Sequence, residues 1–166
     1  MKTHIITKDQ IDSENRYIGD VDISDFPGNI EIEECLGFVK FSGMIVATGY
    51  ILAKAGSGIN AGSGIEAGSG IEAGDGIKAG CGIKAGDGIK AGDGIEAGEG
   101  IEAGSGIEAG LSIRCKLSIN CGLRIFAGTC SWRSIENNEK QIECGNLESG
   151  DVAFGELIEN SINDKP

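Results

Sequence analysis

Between Ala53 and Cys130 the chain is written in units of six residues. The units read Ile-x-Ala-Gly-x-Gly with little variation, and Ile opens twelve of the thirteen, from Ile59 to Ile125. Ala or Cys stands two positions after each of these Ile residues, and in eleven of the twelve the position between is polar or charged. Large apolar, polar, small is the alternation of a short strand with one face buried. A helix is excluded, because each interior Gly costs a helix about 1 kcal/mol. The Gly-x-Gly that closes each unit is expected to make a tight corner, on the ground that Gly adopts backbone angles closed to other residues. A flexible Gly-rich tract would not hold Ile in phase over this length.

Six residues make one side of a coil, and the charges decide how many sides close it. At a spacing of 18 the charged pairs are Lys54–Glu72, Glu66–Lys84, Glu72–Lys90, Lys78–Glu96, Lys84–Glu102, Lys90–Glu108 and Glu96–Arg114, all opposite in sign. At a spacing of 12, Lys78–Lys90 and Glu96–Glu108 would be like-charged neighbours. Stacked strands lie about 4.8 Å apart, close enough for like charges to destabilise and opposite charges to help. The expected fold is therefore all-β, a three-sided parallel β-helix with 18 residues per coil, its register pinned by the charge ladders. Thirteen units give about 4.3 turns and a stack about 20 Å tall.

The Ile-x-Ala-Gly-x-Gly pattern resembles the hexapeptide repeat of left-handed parallel β-helix proteins over about half of the chain. It also looks like the bactofilin class, whose triangular core is a right-handed β-helix. Both resemblances imply a triangular solenoid, and they leave its hand open. The position two before each Ile holds Ser57, Ser63 and Ser69, but also Asp75, Asp87, Asp93, Glu99, Leu111, Leu117 and Leu123. Buried lone carboxylates are costly, so these side chains are expected to point outward at the corners. Many members of the hexapeptide-repeat class are acyltransferases with a histidine base. The sole histidine here is His4, in no repeat unit, which leaves that activity the least favoured reading.

The flanks divide the rest. Residues 1–17 are expected to be an N-terminal arm or cap, 18–52 irregular solenoid coils, 53–130 the hexapeptide-repeat β-helix, and 131–166 a C-terminal capping segment. In 18–52, Val21, Ile23, Ile30, Ile32, Phe38 and Phe41 alternate with polar residues. The richer runs Met44–Val46 and Tyr50–Leu52 suggest strands covered on both faces. After Cys130 the phase changes, and Ile142, Leu147, Val152 and Leu157 recur every five residues with Gly145, Gly150 and Gly155 between them. An open solenoid end is a sheet edge that needs cover. Residues 135–160 are expected to supply it, with Trp132 and Phe126 as anchors.

Glycine takes 29 of 166 positions but proline only 2, so collagen is excluded. The net charge is −12, which argues against direct nucleic-acid binding. It is not evenly spread. Residues 1–52 carry nine acids against four bases, 53–130 nine against seven, and 131–166 eight against three. No apolar run reaches the roughly 18 residues of a membrane span, and the start does not read as a signal peptide, so a cytoplasmic protein without membrane contact is expected. Six cysteines without a Cys-x2-Cys pair give no zinc pattern and are expected to be reduced thiols, with Cys115 and Cys121 packing inward in place of Ala. Asp75 and Asp93, 18 apart, are expected to stack on one corner, solvated or bridged by a cation. No nucleophile elbow or phosphate loop stands in a proper context, so no cofactor and no catalytic residue is assigned.

The reading is a non-enzymatic acidic β-solenoid that binds a basic protein partner, in its sharpest form a nucleic-acid-binding complex. In this respect the chain is similar to small acidic proteins of mobile elements that inhibit host defence nucleases, of anti-CRISPR or anti-restriction type. That resemblance implies a decoy for a nucleic-acid groove. The candidate contacts are Asp20, Asp22, Asp25, Glu31, Glu33 and Glu34 near one end, Glu143, Glu148, Asp151 and Glu156 near the other, and Trp132 if it is exposed. The alternative is a self-assembling scaffold, a homo-oligomer joined through its ends or its charged faces.

Overall fold

The computed structural model describes residues 1–160, which form a parallel β-solenoid of about seven turns. It has three faces. The first stacks Lys2–Ile6, Gly28–Ile32, Ile51–Ala53, Ile71–Ala73, Ile89–Ala91, Ile107–Ala109 and the second half of Ser118–Ala127. The second stacks Ile45–Ala47, Ile65–Ala67, Ile83–Ala85, Ile101–Ala103 and the first half of Ser118–Ala127. The third stacks Gly37–Phe41, Ser57–Ala61, Ile77–Ala79, Ile95–Ala97, Ile113–Cys115, Gln141–Cys144 and Glu156–Glu159. Ser118–Ala127 turns a corner and joins the first two faces, and Asn146–Phe154 follows it round on the next coil.

Each rung puts Ile and Ala inside and the residue between them outside. The Ile residues from Ile59 to Ile125 are at most 1 % exposed, so each side carries an unbroken ladder of isoleucine on isoleucine. Burying such a side chain is worth about 1.5–3 kcal/mol, and this repeats at every rung. Register follows the 18-residue spacing from Ile59 onward: Ile59 lies on Ile77, Ile77 on Ile95 and Ile95 on Ile113. Earlier coils are longer, with Ile51 opposite Ile71 and Val39 opposite Ile59. Two extra residues between Ala53 and Ser57 cause this, where Gly56 turns at φ +71° beside Cys35 at φ +60°. Leu52 therefore stands opposite Glu72, and Lys54 is displaced to Glu31, 3.3 Å away, instead of the expected Glu72.

The corner glycines act through space and not through angle. None from Gly62 to Gly122 has a positive φ. A Cβ on Gly86 would instead be driven into the carbonyl oxygen of Gly68 on the previous coil. The first Gly of each corner is thus fixed by the close approach of stacked backbones. Between the glycines, Asp87, Glu99, Leu117 and Leu123 point outward, and Asp75, Asp93 and Leu111 are half-buried. Ser57 is the exception to the outward expectation. It is fully buried, donates to the Glu33 carbonyl at 2.6 Å and accepts from the Leu36 amide at 2.9 Å.

The two ends are built differently. Residues 7–27 complete an irregular first coil after Lys2–Ile6 and bury Ile11, Ile23 and Phe26, which closes the apolar interior at the N-terminal end. Val46 and Leu52 are half-buried on the outer surface, not covered on both faces. At the other end, residues 135–160 do not lie over the stack but continue it. Leu147 stacks on Ile119, Val152 on Ile125 and Leu157 on Ile142. Leu157 follows Ile142 by fifteen residues, so the final coil has five-residue sides. Its tighter corners do need glycine's left-handed angles, at Gly150 (φ +108°) and Gly155 (φ +116°). Among the described residues no helix is long and apolar enough to cross a membrane.

Candidate functional site at the ends of the coil

Along the faces of the shaft the charges between Ile and Ala neutralise one another. Lys78 lies 2.8 Å from Glu96, Lys84 3.2 Å from Glu102 and Lys90 4.0 Å from Glu108. Register adds Glu66 opposite Lys84, Glu72 opposite Lys90 and Glu96 opposite Arg114. Six of the seven pairs expected at 18-residue spacing are therefore adjacent rungs. The ladders leave the shaft with little field of its own.

The structure spreads the N-terminal candidates over three sides instead of one patch. Asp22 and Asp25 lie in the covering loop beneath Ile45–Ala47, and Asp22 accepts from the Ser24 amide and hydroxyl. Those bonds hold its carboxyl below the usual range. Glu31 accepts from the Tyr50 hydroxyl at 2.6 Å and pairs with Lys54, which likewise lowers its pKa. Glu33 and Glu34 sit at the next corner, beside the turn at Cys35. Asp20, Asp22, Asp25 and Glu34 are exposed, and Glu31 and Glu33 are half-buried.

The C-terminal candidates belong to one end. Glu143 continues a shaft ladder, 3.6 Å from Arg114, and accepts from the Asn160 side chain. Glu148, Asp151 and Glu156 are exposed on the last coil, with Asp151 opposite Arg124 in register. Sequence reasoning missed Glu159, on the same rim, which accepts from the Leu147 amide at 2.7 Å. Residues 141–160 hold five carboxylates and no lysine or arginine.

Exposed apolar side chains gather at the two ends of the stack, Met1, Ile5, Ile18 and Met44 at the first and a second set at the C-terminal one. Leu117, Leu123, Trp132, Phe154 and Leu157 are 37 to 63 % exposed, and no large hydrophobic residue between Met44 and Leu117 is exposed. Trp132, expected to anchor the cap, is instead 63 % exposed, its ring edge beside Gly110. The loop that carries it is clipped by Arg133, whose guanidinium bonds both carboxylate oxygens of Glu139 and draws that group's pKa down to about 2. Leu123, Phe126, Lys90, Glu108, Arg124 and Asp151 line an open groove of about 700 Å3. Leu111, Leu117 and Leu123 occupy the three corners of one coil, a pattern already present in the sequence as leucine at the corner position.

Chemically reactive groups are engaged elsewhere. His4 Nε2 lies 3.0 Å from the Tyr17 hydroxyl within the N-terminal cover, where burial lowers its pKa. Asp75 has its pKa raised by burial and by Asp93 behind it. No cluster of three or more metal-ligating side chains occurs among the described residues. All six cysteines are unpaired, with Cys115, Cys121 and Cys144 buried. No family model, no curated protein and no solved structure matches the chain.

Proposed function

We propose that the protein is a non-enzymatic, cytoplasmic binding rod whose acidic C-terminal end engages a basic macromolecular partner. The observation that carries this reading is the contrast between shaft and end. The shaft's face charges are paired rung by rung and its corner acids are spread over several coils, whereas residues 141–160 hold carboxylates only, on coils that also expose Phe154 and Leu157. An excess of one sign attracts an opposite surface over about a Debye length, and apolar contacts then hold it. In its sharpest form the rod is a decoy that occupies the nucleic-acid groove of a defence nuclease. The engagement of His4 with Tyr17 in the cover, away from the coil boundaries, supports a binding role over acyl transfer.

The test is affinity capture from the native host, followed by competition. A captured basic protein should be released as salt rises from about 50 to about 200 mM, and the rod should displace nucleic acid from it. Capture that ignores salt, or that leaves nucleic-acid binding untouched, contradicts the reading. One feature favours the scaffold alternative, the sheet edge of the last coil, which has no further strand among the described residues. Light scattering over a concentration series separates the two, because a scaffold grows and a decoy keeps a fixed mass.

A further inference from the structure

We propose that the C-terminal coil takes up its partner by strand addition. An extended segment of the partner, with apolar side chains every fifth residue and basic ones between, lies along Asn146–Phe154 and Glu156–Glu159 as one more rung. This rests on the acidic-end reading above and states what occupies that end.

The isoleucine ladders stop without cover there. Ile119, Ile125 and Ile142 are fully buried, but Leu147 and Val152 above them are only half-buried and Leu157 is 37 % exposed. Asn146–Phe154 and Glu156–Glu159 each pair with a strand on one side only among the described residues. The Leu147 amide is taken by the Glu159 carboxylate, which a new strand would displace. The rest of an outer strand edge over a partly wet apolar floor is a template for another strand. At the opposite end Lys2–Ile6 is also an edge strand, but the residues that complete its coil bury Ile11, Ile23 and Phe26, so the apolar floor there is closed.

Charge selects the occupant. A second copy placed end to end would set the five carboxylates of residues 141–160 against another five. Placed head to tail, it would meet residues 1–27, which hold six acids and three basic side chains. Like charges one rung apart, at about 4.8 Å, oppose either contact. A basic strand reverses the sign of that term. Apolar residues of that segment at the same five-residue spacing point inward and cover Leu147, Val152 and Leu157. Its outward residues meet Glu148, Asp151 and Glu156. The rim thus discourages self-stacking and admits a cationic edge.

The experiment uses the full chain and two synthetic peptides of about ten residues. One places valine at every fifth residue with lysine and serine between, and the other has the same charge with two of the serines replaced by proline, which cannot donate to a ladder. The first peptide should bind at least about tenfold more tightly, and it should slow amide hydrogen exchange in residues 146–159. Equal, salt-sensitive binding of both peptides overturns strand addition and leaves the acidic-end reading standing. Binding of neither peptide at low salt overturns both. Slow exchange of the outer amides in the free chain also overturns the proposal. If that protection depends on concentration a second copy is the occupant, and if it does not the occupant is residues 161–166.

Discussion

Lys84 holds its ammonium 3.2 Å from the Glu102 carboxylate on the next coil and faces Glu66 on the coil before. One cation thus sits between two anions on three successive rungs. Replacing Glu102 with lysine sets like charges on adjacent rungs. The pair is about half exposed, so the cost is modest, about 0.5–1 kcal/mol. Urea unfolding of E102K should show that loss at low salt and little of it near 1 M, where the Debye length is about 3 Å. A loss that does not change with salt contradicts the ladder as the cause.

First and second glycines of the corners should differ sharply. Gly86→Ala forces its new methyl into the Gly68 carbonyl of the coil below and should cost at least about 2 kcal/mol. Gly82→Ala places its Cβ 3.4 Å from the Gly100 oxygen, without positive φ, and should stay within about 0.5 kcal/mol of the parent. Equal effects in chemical denaturation would mean that corner angle, not stacking distance, fixes these residues.

Asp75 gives a pH signature. Burial, and then Asp93, raise its pKa above the ordinary 3.8. A carboxyl with a raised folded pKa destabilises the fold when ionised. That penalty is complete above the folded pKa and absent below the unfolded one. Asp75→Asn should therefore stabilise the protein at about pH 7, with the gain fading toward about pH 3. Unfolding midpoints at the two pH values check it, and an equal gain at both contradicts it.

Thiol chemistry reports on the interior. Burial pushes the Cys115 thiol up to about 12, with Cys144 adding to the shift, whereas Cys35 is exposed. Alkylation near pH 8 should label Cys35 quickly and leave Cys115, Cys121 and Cys144 unlabelled until the chain unfolds. Mass mapping of labelled peptides checks this. Labelling of Cys121 as fast as Cys35 would contradict a closed interior.

The shaft was legible because the repeat carries two independent periods. Isoleucine every six residues gives the side, and alternating charge every eighteen gives the coil. The Lys54–Glu72 pairing failed because Lys54-Ala55-Gly56-Ser57-Gly58 imitates a unit while lengthening the spacing from Ile51 to Ile59 to eight residues. The five-residue spacing of Ile142, Leu147, Val152 and Leu157 was visible, but whether those residues lie across the stack or extend it depends on contacts between distant strands. Trp132 shows the same limit, because an aromatic side chain in a loop reads as an anchor until its neighbours are known. The acids could be counted by region, yet only register separates Glu143, tied to Arg114, from Glu148 and Glu156 on the open rim.

The central claim is that the end binds and the shaft supports. Two triple variants, each removing three carboxylates, test it at matched net charge. E148Q/D151N/E156Q clears the open rim, and D75N/D87N/E99Q clears shaft corners. Affinity for the captured basic partner should fall at least about tenfold in the first and change less than about twofold in the second. An equal loss in both variants would contradict the account, because overall charge, and not the end of the coil, would then be what the partner reads.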